Sequence, residues 1–208
     1  VKTFIRTQGC TVCCHTCDTP TARDVDGGVF MDVGNIILKV REFGWSKVTI
    51  TGGEPLEQVD LEKLCFLLKK ENFFITLETS GVVYNKEVFK LCDLLSIDLK
   101  TPSSKVRVDN NFTIHHKILS EFGDKTQIKA VVGDKNDYRF VKRFYNRFTK
   151  LLLLKPYQLI ITPCWNTDQE FVDTEFVKEI ISSIFTDRLS VRLIIQQHKI
   201  IYKHREGV

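Results

Sequence analysis

Short apolar segments alternate with amphipathic segments along almost the whole chain, and this alternation constrains the fold more than any other feature. A strand, a crossover helix and a second strand in succession build a parallel sheet with right-handed connections. Strands are predicted at residues 2–7, 47–51, 73–78, 94–99, 127–132, 158–162 and 191–195. About six β/α units fit, fewer than the eight of a closed barrel. The sequence therefore predicts an α/β fold, an open partial (β/α)6-like barrel with a mostly parallel sheet.

Between the predicted strands, apolar residues recur with helical spacing. Leu61, Leu64 and Leu68 form one stripe after Asp60, a residue type that favours the N-cap position. No linker, repeat or low-complexity segment interrupts the pattern, so residues 1–208 are expected to form a single domain. Because functional residues of parallel α/β folds gather at the carboxyl ends of the strands, the functional residues of this chain are expected in the loops that follow the strands.

Composition excludes several classes of protein. Hydrophobic residues make up 43% of the chain and charged residues 27%, which is ordinary for a globular domain. No apolar run approaches the ~20 residues of a membrane-spanning helix, so no membrane association is expected. The net charge of +4 is a mild excess that falls short of a nucleic-acid-binding surface, and no nucleic acid partner is expected.

Four of the seven cysteines, Cys10, Cys13, Cys14 and Cys17, lie within eight residues directly after the first predicted strand. An odd cysteine count in a chain of this length, with no recognisable secretory signal, predicts metal-binding thiols in a reducing cytoplasm. A zinc site would draw four ligands from these thiols and His15. An iron–sulfur cluster would use the C-x3-C-x2-C spacing of Cys10, Cys14 and Cys17, leaving one iron open and Cys13 as a bystander or a spare ligand.

A second unusual segment, Thr51-Gly52-Gly53-Glu54-Pro55, directly follows the second predicted strand. Paired glycines permit close backbone approach, and the glutamate offers a carboxylate at the end of the sheet. Alone, this segment indicates a tight connection from strand to helix. Together with the cysteine loop it indicates a ligand site.

The two motifs together resemble the radical S-adenosylmethionine (SAM) superfamily, and more narrowly the family of 7-carboxy-7-deazaguanine synthases. The narrower resemblance covers nearly the whole chain in the family's order. It is carried by Cys17-Asp18-Thr19-Pro20, Leu77-Glu78-Thr79-Ser80-Gly81, Asp98-Leu99-Lys100-Thr101-Pro102-Ser103-Ser104, Ile128-Lys129-Ala130-Val131-Val132, Thr162-Pro163 and Gln196-Gln197-His198-Lys199.

The resemblance implies a [4Fe–4S] cluster, SAM and Mg2+ as cofactors. It implies conversion of 6-carboxy-5,6,7,8-tetrahydropterin to 7-carboxy-7-deazaguanine with loss of ammonia, in the biosynthesis of 7-deazapurines of the queuosine type. No catalytic side chain is expected beyond the radical that the cofactors supply. The implied partners are the small pterin substrate, an electron donor such as a flavodoxin or ferredoxin, and a second copy of the chain in a homodimer.

The resemblance also assigns site residues. The cluster ligands are Cys10, Cys14 and Cys17, and the SAM pocket is lined by Thr16, Asp18, Gly52, Gly53, Glu54, Asp98, Lys100 and Thr162. Glu54 is expected to receive the methionine ammonium group. Arg6, Thr51 and His198 are expected to contact the pterin, with the Arg6 guanidinium gripping its carboxylate in a two-point fork. The Thr19 hydroxyl is expected to contact Mg2+.

The sequence also departs from the family pattern. It lacks the N-terminal Gln-Gly-Glu-Gly segment that helps to hold the pterin in the family, so either an upstream segment is missing or the pterin is held in a different way. His115, His116 and His204 belong to no motif and are expected at the surface. Two other functions stay open: a glycyl-radical-activating or other radical SAM enzyme, and a zinc-stabilised binding module without catalysis.

Overall fold

The structure, a computed structural model, describes residues 1–106, 112–165 and 172–202, apart from the side chains of residues 198 and 202. Seven strands form one sheet. They are β1 (Thr3–Thr7), β2 (Lys47–Gly52), β3 (Phe74–Thr79), β4 (Leu94–Asp98), β5 (Thr126–Val132), β6 (Leu159–Pro163) and β7 (Arg192–Leu193). All seven predicted strands are confirmed, with every boundary within two residues of its predicted place.

The strands stand in the sheet in the same order as in the chain, β1 to β7, and all six neighbouring pairs are parallel. Every crossover therefore moves in the same direction, and right-handed crossovers then place the helices on one face. Six β/α units are followed by the two-residue strand β7. The prediction of an open, partial barrel is confirmed.

Within the described ranges, six α-helices connect the strands and a seventh follows β7. They are α1 (Val33–Glu42), α2 (Leu61–Lys70), α3 (Lys86–Leu91), α4 (Thr113–Phe122), α5 (Lys135–Lys150), α6 (Thr174–Asp187) and α7 (Gln197–Tyr202). Aspartate side chains accept a backbone N–H at the start of α1, α5 and α6, as N-caps do. Asp60 is the N-cap residue of α2 but makes no such side-chain bond. Among the described residues, no helix combines the length and the apolar character that crossing a membrane requires.

The two faces of the sheet differ in chemistry because successive side chains of a strand point to opposite sides. The helix-covered face carries apolar residues with no exposed surface, such as Ile50, Leu77 and Ile97. Alternate residues form the other face, here called the inner face. They include the paired residues Asp98 and Lys129, which lie side by side on β4 and β5.

An aromatic cluster fills the helix-covered core beside β5. Phe112 packs edge to face against Phe140, Phe144 and Phe148, with ring centroids 5.1–6.0 Å apart. Phe144 and Phe148 are one helical turn apart on α5, and neither has exposed surface. This apolar packing fixes the position of β5, whose inner face contributes to the site described next.

Candidate active site

The cysteine loop follows β1 and is held on two sides by backbone hydrogen bonds. Gly9 N–H donates to the Ala22 carbonyl at 3.0 Å, and Cys10 N–H donates to the Arg23 carbonyl at 3.2 Å. On the other side, His15 N–H donates to the Ser104 carbonyl at 2.8 Å, which ties the loop to the segment after β4. The loop therefore has a defined path before any ligand binds.

Cys10, Cys14 and Cys17 are half-buried in this loop, whereas Cys13 is exposed. Burial raises the pKa of Cys14; Lys100 opposes the shift, and the neighbouring thiols of Cys17 and Cys10 add to it. Burial also raises the pKa of Cys17, and a hydrogen bond from the backbone N–H of Thr19 opposes that shift. The thiols of Cys10 and Cys17 thus lie close enough to Cys14 to influence its charge.

Cys13 differs from the other three cysteines in backbone and in contacts. Its φ of +50° lies in the left-handed region, and its Sγ lies 3.5 Å from the Cys10 carbonyl oxygen. The exposed Arg23 guanidinium has a raised pKa, first because of its hydrogen bond with Cys13. The Cys13 side chain therefore contacts the Cys10 carbonyl and the Arg23 guanidinium.

The donor set fits an iron–sulfur cluster. In the described part of the chain, no three His, Cys, Asp or Glu side chains converge as the ligands of a single ion would. The thiolates that hold a cuboidal cluster bind separate irons and need only lie near one another. Cys10, Cys14 and Cys17 meet this requirement, and the Lys100 ammonium adds positive charge that favours the thiolate form of Cys14.

The Gly-Gly-Glu-Pro loop packs its glycines against the end of β1. Gly52 has a φ of +131°, and a Cβ there would lie 2.2 Å from the Thr7 carbonyl oxygen. A Cβ on Gly53 would lie 2.0 Å from the Gly9 carbonyl oxygen. Gly53 N–H instead donates to Thr7 O at 3.0 Å, and Glu54 N–H donates to Gly9 O at 2.9 Å. The absence of side chains at Gly52 and Gly53 lets these two strand ends meet.

The Glu54 side chain has no exposed surface, and protein donors surround its carboxylate. Its Oε1 accepts the Thr79 hydroxyl at 2.6 Å and the Leu56 N–H at 3.0 Å. Its Oε2 accepts the Ser80 N–H at 2.8 Å. Glu54 therefore connects the end of β2 to the end of β3.

A charged cluster lies at the end of β4, beside the middle of β5. The Lys100 Nζ is 2.7 Å from Asp98 Oδ2, and the Lys129 Nζ is 3.6 Å from Asp98 Oδ1. Burial alone would raise the pKa of Asp98, but Lys129 and Lys100 hold it below its usual value. Burial alone would lower the pKa of Lys100, but Asp98 and Cys14 raise it above its usual value. Asp98 and Lys100 thus remain charged beside the cysteine loop at neutral pH.

Residues predicted to contact substrate and Mg2+ also come together. Arg6 pairs with Thr51 across β1 and β2, so both lie at one level of the sheet. The Arg6 guanidinium donates to the Thr19 hydroxyl at 3.4 Å. That hydroxyl in turn donates to Asp18 Oδ1 at 3.3 Å. Side-chain hydrogen bonds therefore link Arg6, Thr19 and Asp18 at the end of the cysteine loop.

The last helix reaches the cysteine loop. Gln196 Nε2 donates to Asp18 Oδ2 at 3.4 Å, and Lys199 Nζ donates to the Asp18 carbonyl at 3.4 Å. His198 lies in α7 between these residues, and its side chain is outside the described part of the structure. Thr16 is half-buried in the cysteine loop, and Thr162 is buried at the carboxyl end of β6.

One expectation about histidines is wrong. His115 is 8% exposed, and its Nε2 lies 3.0 Å from the Asp98 carbonyl oxygen. It therefore contacts the backbone of the charged cluster. Its spacing with Ile118 and Leu119 on one face of α4 could have predicted this burial. His116 is exposed as expected, and His204 lies outside the described residues. Lys129 was also missed, although its position in β5 beside Asp98 follows from the register.

Comparisons with known proteins agree with this geometry. A family model described as the Radical SAM superfamily matches residues 4–122, more than half of the chain. A solved structure of Streptococcus suis SuiB bound to S-adenosylmethionine has a TM-score of 0.66 at 14% identity. That alignment covers 99% of this chain and 52% of SuiB, so the chain spans about half of that structure and shares its fold. The fold and the site thus define a radical SAM protein.

Curated relatives narrow the assignment. The 7-carboxy-7-deazaguanine synthase of Clostridium acetobutylicum is 31% identical, over 100% of this chain and 90% of that protein. The enzymes of the same name from Methanospirillum hungatei and Bacillus subtilis are 30% and 29% identical, over 76% and 89% of their lengths. The chain therefore belongs to the 7-carboxy-7-deazaguanine synthase family of the radical SAM superfamily. It is a lyase that uses SAM and an iron–sulfur cluster, which sets aside the zinc-binding alternative.

Proposed function

We propose that the protein converts 6-carboxy-5,6,7,8-tetrahydropterin to 7-carboxy-7-deazaguanine with loss of ammonia, in 7-deazapurine biosynthesis of the queuosine type. The observation that carries the proposal is the alignment with synthases of that name over nearly the whole chain. The geometry supports it, because Arg6, Thr19 and Thr51 stand together beside the cysteine loop.

The cofactors would be held by the loops that follow the strands. When bound, the cluster and SAM supply the radical that starts the reaction. Cys10, Cys14 and Cys17 would hold the cluster. Thr16, Asp18, Gly52, Gly53, Asp98, Lys100 and Thr162 would line the SAM pocket, as the family resemblance implies. Glu54 is the exception, since its buried carboxylate is already bonded to protein donors.

The substrate would be held by a carboxylate grip and by oxygen ligands to a cation. Arg6 is exposed and offers two parallel N–H groups, the geometry that a carboxylate prefers. The Thr19 hydroxyl suits Mg2+, a hard cation that binds oxygen. Thr51 lies on the neighbouring strand at the level of Arg6, and His198 would approach from α7.

The proposal has further parts that follow the family. Residues 1–208 would form one radical SAM domain, acting in the cytoplasm as a homodimer. A flavodoxin or ferredoxin would deliver the electron to the cluster. Exposure of Cys13 and His15 beside the three ligand cysteines leaves this loop within reach of such a donor.

Anaerobic turnover of the iron-reconstituted protein tests the substrate assignment. The reaction contains 6-carboxytetrahydropterin, SAM, Mg2+ and dithionite, and mass spectrometry looks for 7-carboxy-7-deazaguanine. We expect product with the wild type and with Cys13→Ala, and none with Cys14→Ala. Omitting Mg2+ should lower the rate if Thr19 holds the cation, and Thr19→Val should lower it to a similar extent.

The possible failures have different meanings. If SAM is cleaved but no pterin product forms, the substrate assignment is wrong and another radical SAM reaction, such as activation of a glycyl-radical enzyme, takes its place. If Cys13→Ala abolishes iron binding and Cys14→Ala does not, the ligand assignment is wrong. If Thr19→Val turns over at the wild-type rate, the proposed role of Thr19 in binding Mg2+ is lost.

A further inference from the structure

Glu54 is the acidic residue of the Gly-Gly-Glu-Pro loop, and its surroundings differ from those of a ligand contact. The side chain has no exposed surface. A carboxylate offers about four lone-pair positions for hydrogen bonds. Three of them already accept the Thr79 hydroxyl, the Leu56 N–H and the Ser80 N–H, at 2.6, 3.0 and 2.8 Å.

These bonds join three successive strand ends. The Glu54 backbone N–H donates to the Gly9 carbonyl at 2.9 Å, which reaches the start of the cysteine loop after β1. Its side chain binds Thr79 and Ser80 at the end of β3. Glu54 itself follows Gly53, whose backbone is in contact with Gly9. One buried residue thus sets the spacing between the cysteine loop, the glycine pair and β3.

We infer that Glu54 is a positioning residue: it holds Gly52, Gly53 and the cysteine loop in the geometry that binds SAM, and its carboxylate does not contact the ligand. The remaining acceptor position, on Oε2, has no exposed surface, so an ammonium group could reach it only if the packing and hydrogen bonds around Glu54 opened. Opening them would leave buried N–H or O–H donors without a partner, which is unfavourable, so the protein bonds oppose that contact. The inference depends on the radical SAM assignment and not on the pterin substrate.

Binding of two ligands that differ only in the amino group tests the inference. The probes are S-adenosylhomocysteine and its analogue without the α-amino group, titrated calorimetrically into the anaerobic, iron-loaded protein. If Glu54 positions the loops, Glu54→Gln weakens both ligands by the same factor, roughly tenfold. If Glu54→Gln weakens only the ligand that carries the amino group, the carboxylate contacts that group and the inference is wrong.

Thr79→Val provides a second variant that leaves the Glu54 carboxylate in place. It removes one donor to Oε1 and introduces no new charge. A positioning role predicts weaker binding of both ligands, roughly threefold for each. If Thr79→Val weakens only the ligand without the amino group, and the amino-bearing ligand binds as tightly as before or more tightly, a direct contact is supported instead. Because Thr79→Val is the milder change, it decides the question if Glu54→Gln does not fold.

Thermal unfolding of the iron-free protein gives a readout that does not depend on turnover. Glu54→Gln leaves at least one buried donor unpaired, and we expect it to lower the Tm by roughly 3–10 °C. Thr3→Val is the matched control, because the Thr3 hydroxyl is buried in β1 with no hydrogen-bond partner among the described residues. We expect Thr3→Val to unfold at the wild-type Tm or slightly above it, because it removes a buried hydroxyl without a partner, and to keep both affinities. A wild-type Tm in Glu54→Gln would contradict the positioning role.

Discussion

The helix-covered face of the sheet and its carboxyl-terminal edge are stabilised in different ways. On the helix-covered face, apolar side chains of the sheet, such as Ile50 and Leu77, and of the helices, such as Phe144, have no exposed surface. At the edge, loops are joined by backbone hydrogen bonds and by the buried carboxylate of Glu54. Apolar packing tolerates changes of shape that conserve volume, whereas hydrogen bonds between loops depend on single atoms.

This difference separates two consequences of substitution. A change on the helix-covered face alters the free energy of unfolding and leaves the geometry of the folded site intact. A change at the carboxyl-terminal edge alters the geometry of the site even when the fold survives. The following variants distinguish these outcomes, beginning with the largest expected effect.

Gly53→Ala should cause the largest loss. Its Cβ would lie 2.0 Å from the Gly9 carbonyl oxygen and 2.6 Å from the Ala22 carbonyl oxygen, and both are backbone atoms. The cysteine loop must move away, so we expect iron per chain after reconstitution to fall to background. Gly123→Ala is the matched control, because its Cβ would have its nearest neighbour at 3.8 Å. Wild-type iron content in Gly53→Ala would contradict the tight contact between the two loops.

Phe144→Ala should lower the free energy of unfolding by about 3–5 kcal/mol, the usual cost of removing a buried aromatic ring. Phe144 contacts Phe112 and Phe148 and has no exposed surface. Urea unfolding of the iron-free protein measures the loss. Phe185→Ala is the control, since Phe185 is 78% exposed and should change stability by less than about 0.5 kcal/mol. At low temperature, folded Phe144→Ala should still bind iron, and failure to do so would remove the distinction drawn between the two regions.

Asp98→Asn should lower stability by roughly 2 kcal/mol at neutral pH, because the half-buried ammonium groups of Lys100 and Lys129 lose their partner. Lys129 and Lys100 hold the pKa of Asp98 below its usual value despite burial, so the native state loses its charge at lower pH than the unfolded chain. The stabilisation is therefore complete above the unfolded pKa of about 3.9 and is lost as the pH falls through the native value. Urea unfolding from pH 3 to 7 should show the gap between wild type and Asp98→Asn narrowing only below about pH 4. If the difference in unfolding free energy between wild type and Asp98→Asn widened as the pH fell, the native pKa of Asp98 would be raised and the prediction would be wrong.

Cys13→Ser should have the smallest effect. Cys13 is exposed, and its sulfur lies against the Cys10 carbonyl. We expect iron content and the visible absorption of the cluster to equal those of the wild type. Cys17→Ser removes one of the three expected ligand cysteines and should lose most of the iron. Equal loss in both variants would show that Cys13 is a ligand.

The strands could be predicted from the sequence because alternation between apolar and polar residues is a local property. The prediction for residues 191–195 was too long, since β7 pairs only with β6 and keeps two residues. The motif loops were placed correctly at strand ends, because parallel strands bring their carboxyl ends to one edge. The donors to Glu54 could not be predicted, since Thr79 and Ser80 reach it only through the packing of β2 against β3. The same holds for His115, whose bond to the Asp98 carbonyl depends on how α4 lies across β4.

The order of the strands has a consequence for synthesis of the chain. Since each strand lies beside its chain neighbour, a strand leaving the ribosome joins the growing edge of the sheet, and no gap has to stay open for a later one. Loops after β1, β2 and β4 that carry Cys10, Gly53 and Lys100 lie within the first half of the sequence. The nascent polypeptide can therefore bring these three loops together while the second half of the chain, which carries Thr162, is still being translated.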